Sequence, residues 1–189
     1  MCTFVLFPSG LLAHSQEQPR QETSVSDMVD PSVIYQIVLL LHIATAIVGF
    51  GGIIAHSAYN AKAFGGNAGD ARVLLNTTQI VTNLAHYAIY GVFLLGIALV
   101  ALSDGGISFG APWISASFVV WFAIVGIAHG MVKPAVRSLK EKAEGMNAAS
   151  RMADDPEVLG LAKKLALGDG LTQLLIVIAL VLMVWQPGN

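Results

Sequence analysis

The chain has 189 residues, 10 Lys and Arg against 12 Asp and Glu, and a mean hydropathy of +0.69. Charged residues make up 12%, where a soluble domain carries about 25%, so the composition is that of an integral membrane protein. The formal charge of −2 excludes a general basic nucleic-acid binder, and the single cysteine, Cys2, excludes an internal disulfide and a thiolate metal cluster.

Taken in chain order, residues 3–12 are apolar but short, interrupted by Pro8 and Gly10, and no Lys or Arg precedes them. The basic leading part of a signal peptide is therefore missing. Residues 16–27 are polar and predict disorder. Met28 stands just before the first long apolar stretch, so residues 1–30 are expected to be an extension, disordered or an artefact of the assigned gene start. Residues 31–189 are expected to form the membrane domain.

Four stretches carry no Asp, Glu, Lys or Arg: 31–61, 73–103, 105–132 and 170–189. Each is as long as the roughly 20 apolar residues that a helix needs to cross a bilayer. The spans are expected near 33–57, 80–103, 112–132 and 168–186. None alternates with period two over ten residues, which argues against a membrane barrel and for helices, the other way to satisfy backbone polar groups in lipid. The fold class is therefore all-α, a polytopic four-helix transmembrane bundle.

The connections add detail. The short, glycine-rich segment 104–111 predicts that spans 2 and 3 are antiparallel neighbours. Residues 133–144 read as a surface helix stopped by Gly145. Asp155-Pro156 is a helix start, with Asp at the N-cap and Pro in the first turn. Span 4 is thus expected to begin outside the membrane at Pro156 and to enter it near Asp169, with Gly168 and Gly170 as a bend. Lys62, Arg72, Lys133, Arg137, Lys140, Lys142, Arg151, Lys163 and Lys164 all fall on one side of this topology, and only Arg20 on the other. The bias of basic residues toward the cytoplasm then puts loops 58–79 and 133–167 inside and both termini outside. Trp113 and Trp185 are expected at the outer interface, where amphipathic rings collect.

Ionisable side chains within spans are costly and face protein or a cavity. Here they are His42, His56, His86 and His129, with Asp169 at the edge. Span 1 has a seam at 3.5-residue spacing: Tyr35, Val38, His42, Thr45, Gly49, Gly52, His56 and Tyr59. Asn83, His86, Tyr87 and Tyr90 make a polar stripe on span 2. Gly126 and Gly130 form a GxxxG pair on span 3, with His129 between them. Asp169, Gln173, Ile176 and Leu180 share a face on span 4.

At about 1.5 Å per residue, His42 lies about 4 Å to the outer side of mid-span, and His86 and His129 about 8 and 10 Å toward the basic side. His56 lies about 21 Å along the helix from His42. His86 and His129 therefore match in depth, and a small shift in register brings in His56. Facing histidines at equal depth are what a bis-histidine haem b requires, and the same imidazoles suit a divalent cation or a proton relay. The plain alternative is that each ring makes an interhelical hydrogen bond, worth about 0.6 kcal/mol on average in one well-studied membrane protein. Metal and cofactor are otherwise unspecified, and there is no H-E-x-x-H, C-x-x-C or G-x-S-x-G.

The stretch YQIVLLLHIATAIVGFGG (35–52) resembles the first helix of an uncharacterised bacterial family of predicted four-helix integral membrane proteins. PEVLGLAKKLALGDGLTQLLIVIALVLMVWQPG (156–188) is similar to the close of the same family. The resemblance implies the four-helix fold and a bacterial plasma membrane, and no activity. The Leu-His and glycine-rich run of the first helix also resembles copper-resistance D-like membrane proteins, through His42 and 49–52 alone. This chain departs from that pattern in lacking a Trp in the run and a methionine-rich outer region.

The function expected from the sequence is that of a non-enzymatic subunit or accessory factor of a membrane assembly, whose partners are the lipid bilayer and another membrane protein or a second copy, and not nucleic acid. The alternatives are a haem-b electron-transfer protein, with ligands among His86, His129, His42 and His56, and a small ion or proton transporter.

Overall fold

The computed structural model describes residues 31–103 and 105–188; the expectations for the N-terminal extension lie outside these. The described residues form five α-helices: α1 Pro31–Gly65, α2 Ala68–Ala101, α3 Pro112–Ile127, α4 Lys133–Gly145 and α5 Pro156–Trp185. A π-helical turn, Ala128–Val132, joins α3 to α4, so the pair runs as one continuous helix. Four helices are long and apolar enough to cross a membrane: α1, α2, the α3–α4 unit and α5. Large apolar side chains such as Leu40, Ile47, Ile80 and Val184 stand exposed along them, as they must where lipid is the solvent.

The helices run past the expected spans. The 35 residues of α1 reach about 52 Å, well beyond a hydrocarbon core of about 30 Å. The loop expected over 58–79 shrinks to Gly66 and Asn67, because a charge such as Lys62 or Arg72 ends a membrane span but not a helix. Asn67 caps α2, its side chain accepting from the Asp70 backbone N–H at 2.8 Å. The expected helices at 133–144 and from Pro156 are both present, and the Asp155 side chain accepts from the N–H groups of Glu157 and Val158 at the start of α5. The π-turn has a local cause. Pro134 has no N–H to give to the carbonyl four residues back and its ring crowds that carbonyl, so the ladder widens just before it.

The protruding basic end is stitched together. Ala68 N–H donates to Ser150 O at 2.8 Å, Gly69 N–H to Ala148 O at 3.0 Å and Met152 N–H to Gly66 O at 3.2 Å. Arg72 donates from Nε to Ala143 O at 2.7 Å and from Nη2 to Glu144 O at 3.3 Å and to Met146 O. One guanidinium thus satisfies carbonyls that the end of α4 leaves open. The most deeply buried large side chains, Leu139, Met152, Leu165 and Val158, are at this end. The charged residues gather at this end, and apolar burial has a driving force wherever the alternative is water. Within lipid, helices are held by close packing instead. A Cβ on Gly52 would lie 2.6 Å from Ala85 Cβ, and one on Gly168 would lie 3.0 Å from Val132 Cγ2. These glycines set the α1–α2 and α5–π-turn approach.

The predicted faces need four corrections. The α1 seam holds through His42, Gly49 and His56, but Tyr59 is exposed and Asn60 and Ala63 are buried instead. A straight helix drifts about 20° per heptad from a 3.5-residue repeat, which moves the contact line by one residue at this distance. Tyr87 and Asn83 face outward on α2, where Ala85, Ala88 and Ile89 are the buried positions. Leu180 is exposed, and Ala179 takes its place on α5. Trp185 is 78% exposed at its helix end, but Trp113 is 7% exposed and turns into the bundle.

Candidate functional site

The intramembrane polar residues fall into two regions. Between them lies an apolar layer built from Ile89, Val120, Ile124 and Ile176 with Phe50, Ile53 and Trp121 packed on it.

On the basic side, His56 is the centre of a hydrogen-bond network in which the buried Asn60 Oδ1 alone completes no bond among the described residues. The Asn60 side-chain N–H donates to His56 Nε2 at 2.9 Å, and His56 Nδ1 lies 2.8 Å from Thr82 Oγ1. Thr82 Oγ1 donates to Thr78 O at 2.9 Å. With the Nε2 lone pair taken by the amide and the Thr82 proton given to Thr78, the remaining ring proton sits on Nδ1 and is donated to Thr82. The result is one directional chain, Asn60 to His56 to Thr82 to Thr78, tying α1 to α2. Asp169 on α5 is buried within hydrogen-bonding reach of Ser57 and Asn60. Thr172 donates to Gly168 O at 2.8 Å. A cavity of about 30 Å³ lies against His56, Thr82, His86, Asp169 and Thr172, room for about one water molecule.

His86 and His129 are brought together as their depths predict. Their ring centroids are 5.9 Å apart at 86°. His86 Nδ1 donates to Thr82 O at 2.6 Å and His129 Nδ1 to Val125 O at 3.0 Å, which leaves both Nε2 atoms as lone pairs. Lys133 Nζ donates to His129 Nε2 at 2.8 Å, with Tyr90 OH at 3.3 Å. An ammonium therefore stands where a metal would approach His129. The adjoining cavity is an order of magnitude below the roughly 300 Å³ at which small-molecule sites begin. The pair as placed does not fit a haem macrocycle. Among the described residues no group of three or more His, Cys, Asp and Glu side chains is arranged to hold a metal ion.

On the opposite side, His42 is 8% exposed and lines a second cavity of about 320 Å³. Its ring faces the Val92 backbone, but Nδ1 completes no hydrogen bond of normal geometry. Trp113 lines the same cavity, and its buried indole N–H has no acceptor among the described residues. Each such group costs about 1–3 kcal/mol when left unpaired. The walls are aromatic: Phe93 stacks on Trp121 with centroids 4.1 Å apart and meets Phe118 edge-on at 5.4 Å. The Trp121 N–H is satisfied by Ile89 O at 3.1 Å.

Sequence reasoning found the His86–His129 pair and the isolation of His42. It missed Asn60, Thr82 and Trp113. Asn60 was legible as the residue one turn beyond His56, had the true helical period been used. Thr82 sits one turn before His86 and carries a signal only when the α1–α2 register is known. Nothing local distinguishes a buried Trp113 from an interfacial one.

This is a polytopic α-helical membrane protein with buried polar side chains at two depths, His56, Asn60 and Asp169 at one and His42 at the other, while His129 is exposed on the bundle surface. A family model described as predicted integral membrane protein (DUF2269) matches residues 36–187, and the chain belongs to that family. No curated protein and no solved structure matches the chain at a significant level.

Proposed function

We propose that the protein is a non-enzymatic subunit or accessory factor of a membrane assembly. In this reading it sits in a bacterial plasma membrane with both termini outside and the basic end in the cytoplasm. The observation that carries the reading is the glycine face formed by Gly126 of α3 and Gly130 of the π-turn. A Cβ on Gly126 or on Gly130 would meet nothing within 4 Å, whereas Gly52 and Gly168 are pressed against neighbours of the same chain. Val119 and Phe122 stand exposed on the same flank of α3. Their spacing of three and four residues makes one ridge beside the glycine groove. Such a face admits the backbone of another transmembrane helix, where van der Waals packing drives association in lipid. Haem on His86 and His129 has less support, because Lys133 engages the ligand nitrogen. Passage of an ion or proton has less support, because the apolar layer separates His42 from His56.

The test is cross-linking in the native membrane from a cysteine at Val119, with Cys2 changed to Ser. A discrete adduct with one protein, or with a second copy, is expected from the parent and not from the Gly126→Leu, Gly130→Leu double variant. The open space at both positions lets that variant fold. A monomer without adducts, or adducts indifferent to the double variant, would remove the reading. Cysteines at Lys62 and Ser108 test the orientation: labelling of Lys62→Cys from outside would reverse it.

A further inference from the structure

We propose that the cavity at the end of the bundle away from the basic loops binds a neutral, lipid-soluble ring compound bearing carbonyl oxygens, of the quinone class. This goes beyond the assembly reading and does not rest on it.

Size, walls, polar atoms and charge each narrow the occupant. The volume of about 320 Å³ is about twice that of an engineered apolar cavity that takes up benzene, and it reaches the lower end of small-molecule sites. All four spans contribute to its wall. The aromatic surfaces of Phe93, Phe118 and Trp121 offer a flat ring its preferred stacking and edge contacts. Two of the side chains that line it, His42 and Trp113, are 8% and 7% exposed and carry buried polar atoms, His42 Nδ1 and Trp113 Nε1, that complete no hydrogen bond of normal geometry among the described residues.

An indole N–H only donates, so the occupant must present an acceptor to Trp113. The imidazole can carry its proton on either nitrogen, so it meets a carbonyl or a hydroxyl. A quinone carries an acceptor on each side of a flat ring and suits both atoms. Leu39 and Ile43 line the cavity and are themselves exposed on the apolar outer surface, so the occupant enters from the bilayer.

Charge excludes the close rivals. Every Lys and Arg among the described residues belongs to the other end of the bundle. The propionates of a haem, the phosphate of a phospholipid and the carboxylate of a fatty acid would each enter this space with no cation among the described residues to meet. Met183 and His42 both line the cavity and are of the types that ligate haem iron, so haem is made an explicit outcome of the test.

The experiment uses the full chain in lipid nanodiscs, dialysed to equilibrium with menadione and compared with empty nanodiscs. Saturable uptake near one molecule per chain is expected. Trp113→Phe, which keeps the ring and removes the donor, and His42→Leu should each weaken it at least tenfold. Val92→Phe, which fills the cavity and keeps both polar side chains, should abolish it. Circular dichroism shows that each variant is folded. Uptake no greater than in empty discs, or uptake that all three variants leave unchanged, would overturn the proposal. So would a Soret band at stoichiometric haem lost in His42→Leu, or a phospholipid retained in fixed ratio and lost in Val92→Phe.

Discussion

The approach of α1 to α2 at Gly52 gives a sharp test of how the bundle is held together. Gly52→Ala adds one methyl group that would stand 2.6 Å from Ala85 Cβ and 3.5 Å from its Cα. Ordinary contact between such atoms begins at 3.4 Å, so α1 and α2 must part by about 1 Å along their shared glycine–alanine seam. Neither atom is the end of a flexible side chain, so no rotamer change relieves the overlap. Overpacking of this kind costs about 1–3 kcal/mol. Alanine also raises helix propensity by about 0.8–1.0 kcal/mol over glycine, so Gly52→Ala alone mixes two opposing effects. Gly51→Ala separates them. A Cβ there meets nothing within 4 Å, and the propensity gain is the same one residue away. The difference between the two variants is therefore the steric contribution alone, about 1–3 kcal/mol, or about 5- to 150-fold in the folding equilibrium. Reversible unfolding in mixed SDS micelles, followed by circular dichroism, measures it. Equal stabilities for the two variants would refute the claim that Gly52 sets the α1–α2 distance.

The remaining predictions address the polar network and the basic end. Thr82→Val removes the acceptor of the His56 Nδ1 proton and should lower stability by about 1 kcal/mol, within the range for hydrogen bonds in membranes. Thr45→Val should be near neutral, because the Thr45 hydroxyl bonds only to Leu41 O on its own helix, and equal losses in the same unfolding assay would show that the His56 chain contributes nothing between helices. Arg72→Ala frees three carbonyls at the end of α4 and should destabilise the basic end by about 1.5–3 kcal/mol, while Arg72→Lys recovers less than half because an ammonium lacks the planar fork. Amide exchange at 143–152 reads this directly, and unchanged protection there in Arg72→Ala would show that the stitching does not depend on the guanidinium.

The span count, the helical class and the gathering of basic residues at one end were legible in the sequence because each is a property of composition along the chain. Charge-free stretches of sufficient length can satisfy their backbone in lipid only as helices, whatever they pack against. The Asp155-Pro156 start and the stop near Gly145 were legible for the same kind of reason, since caps and turn residues act over a few positions. The equal depth of His86 and His129 followed from rise per residue alone.

What tertiary structure decided was the direction in which each side chain points. A 3.5-residue seam and a 3.6-residue helix agree over one heptad and part over three, so Tyr59 gave way to Asn60, and the chain that satisfies His56 came into view only with the helices docked. Likewise Lys133, read as a topology signal, is the partner that occupies His129. Trp113, read as an interfacial anchor, faces inward beside His42. Hydropathy is blind to these choices because an apolar helix is stable in lipid on every face. Only the close fit of glycine against alanine between α1 and α2, and the crowding at the π-turn before Pro134, select the rotation of each helix and with it the side chains that meet.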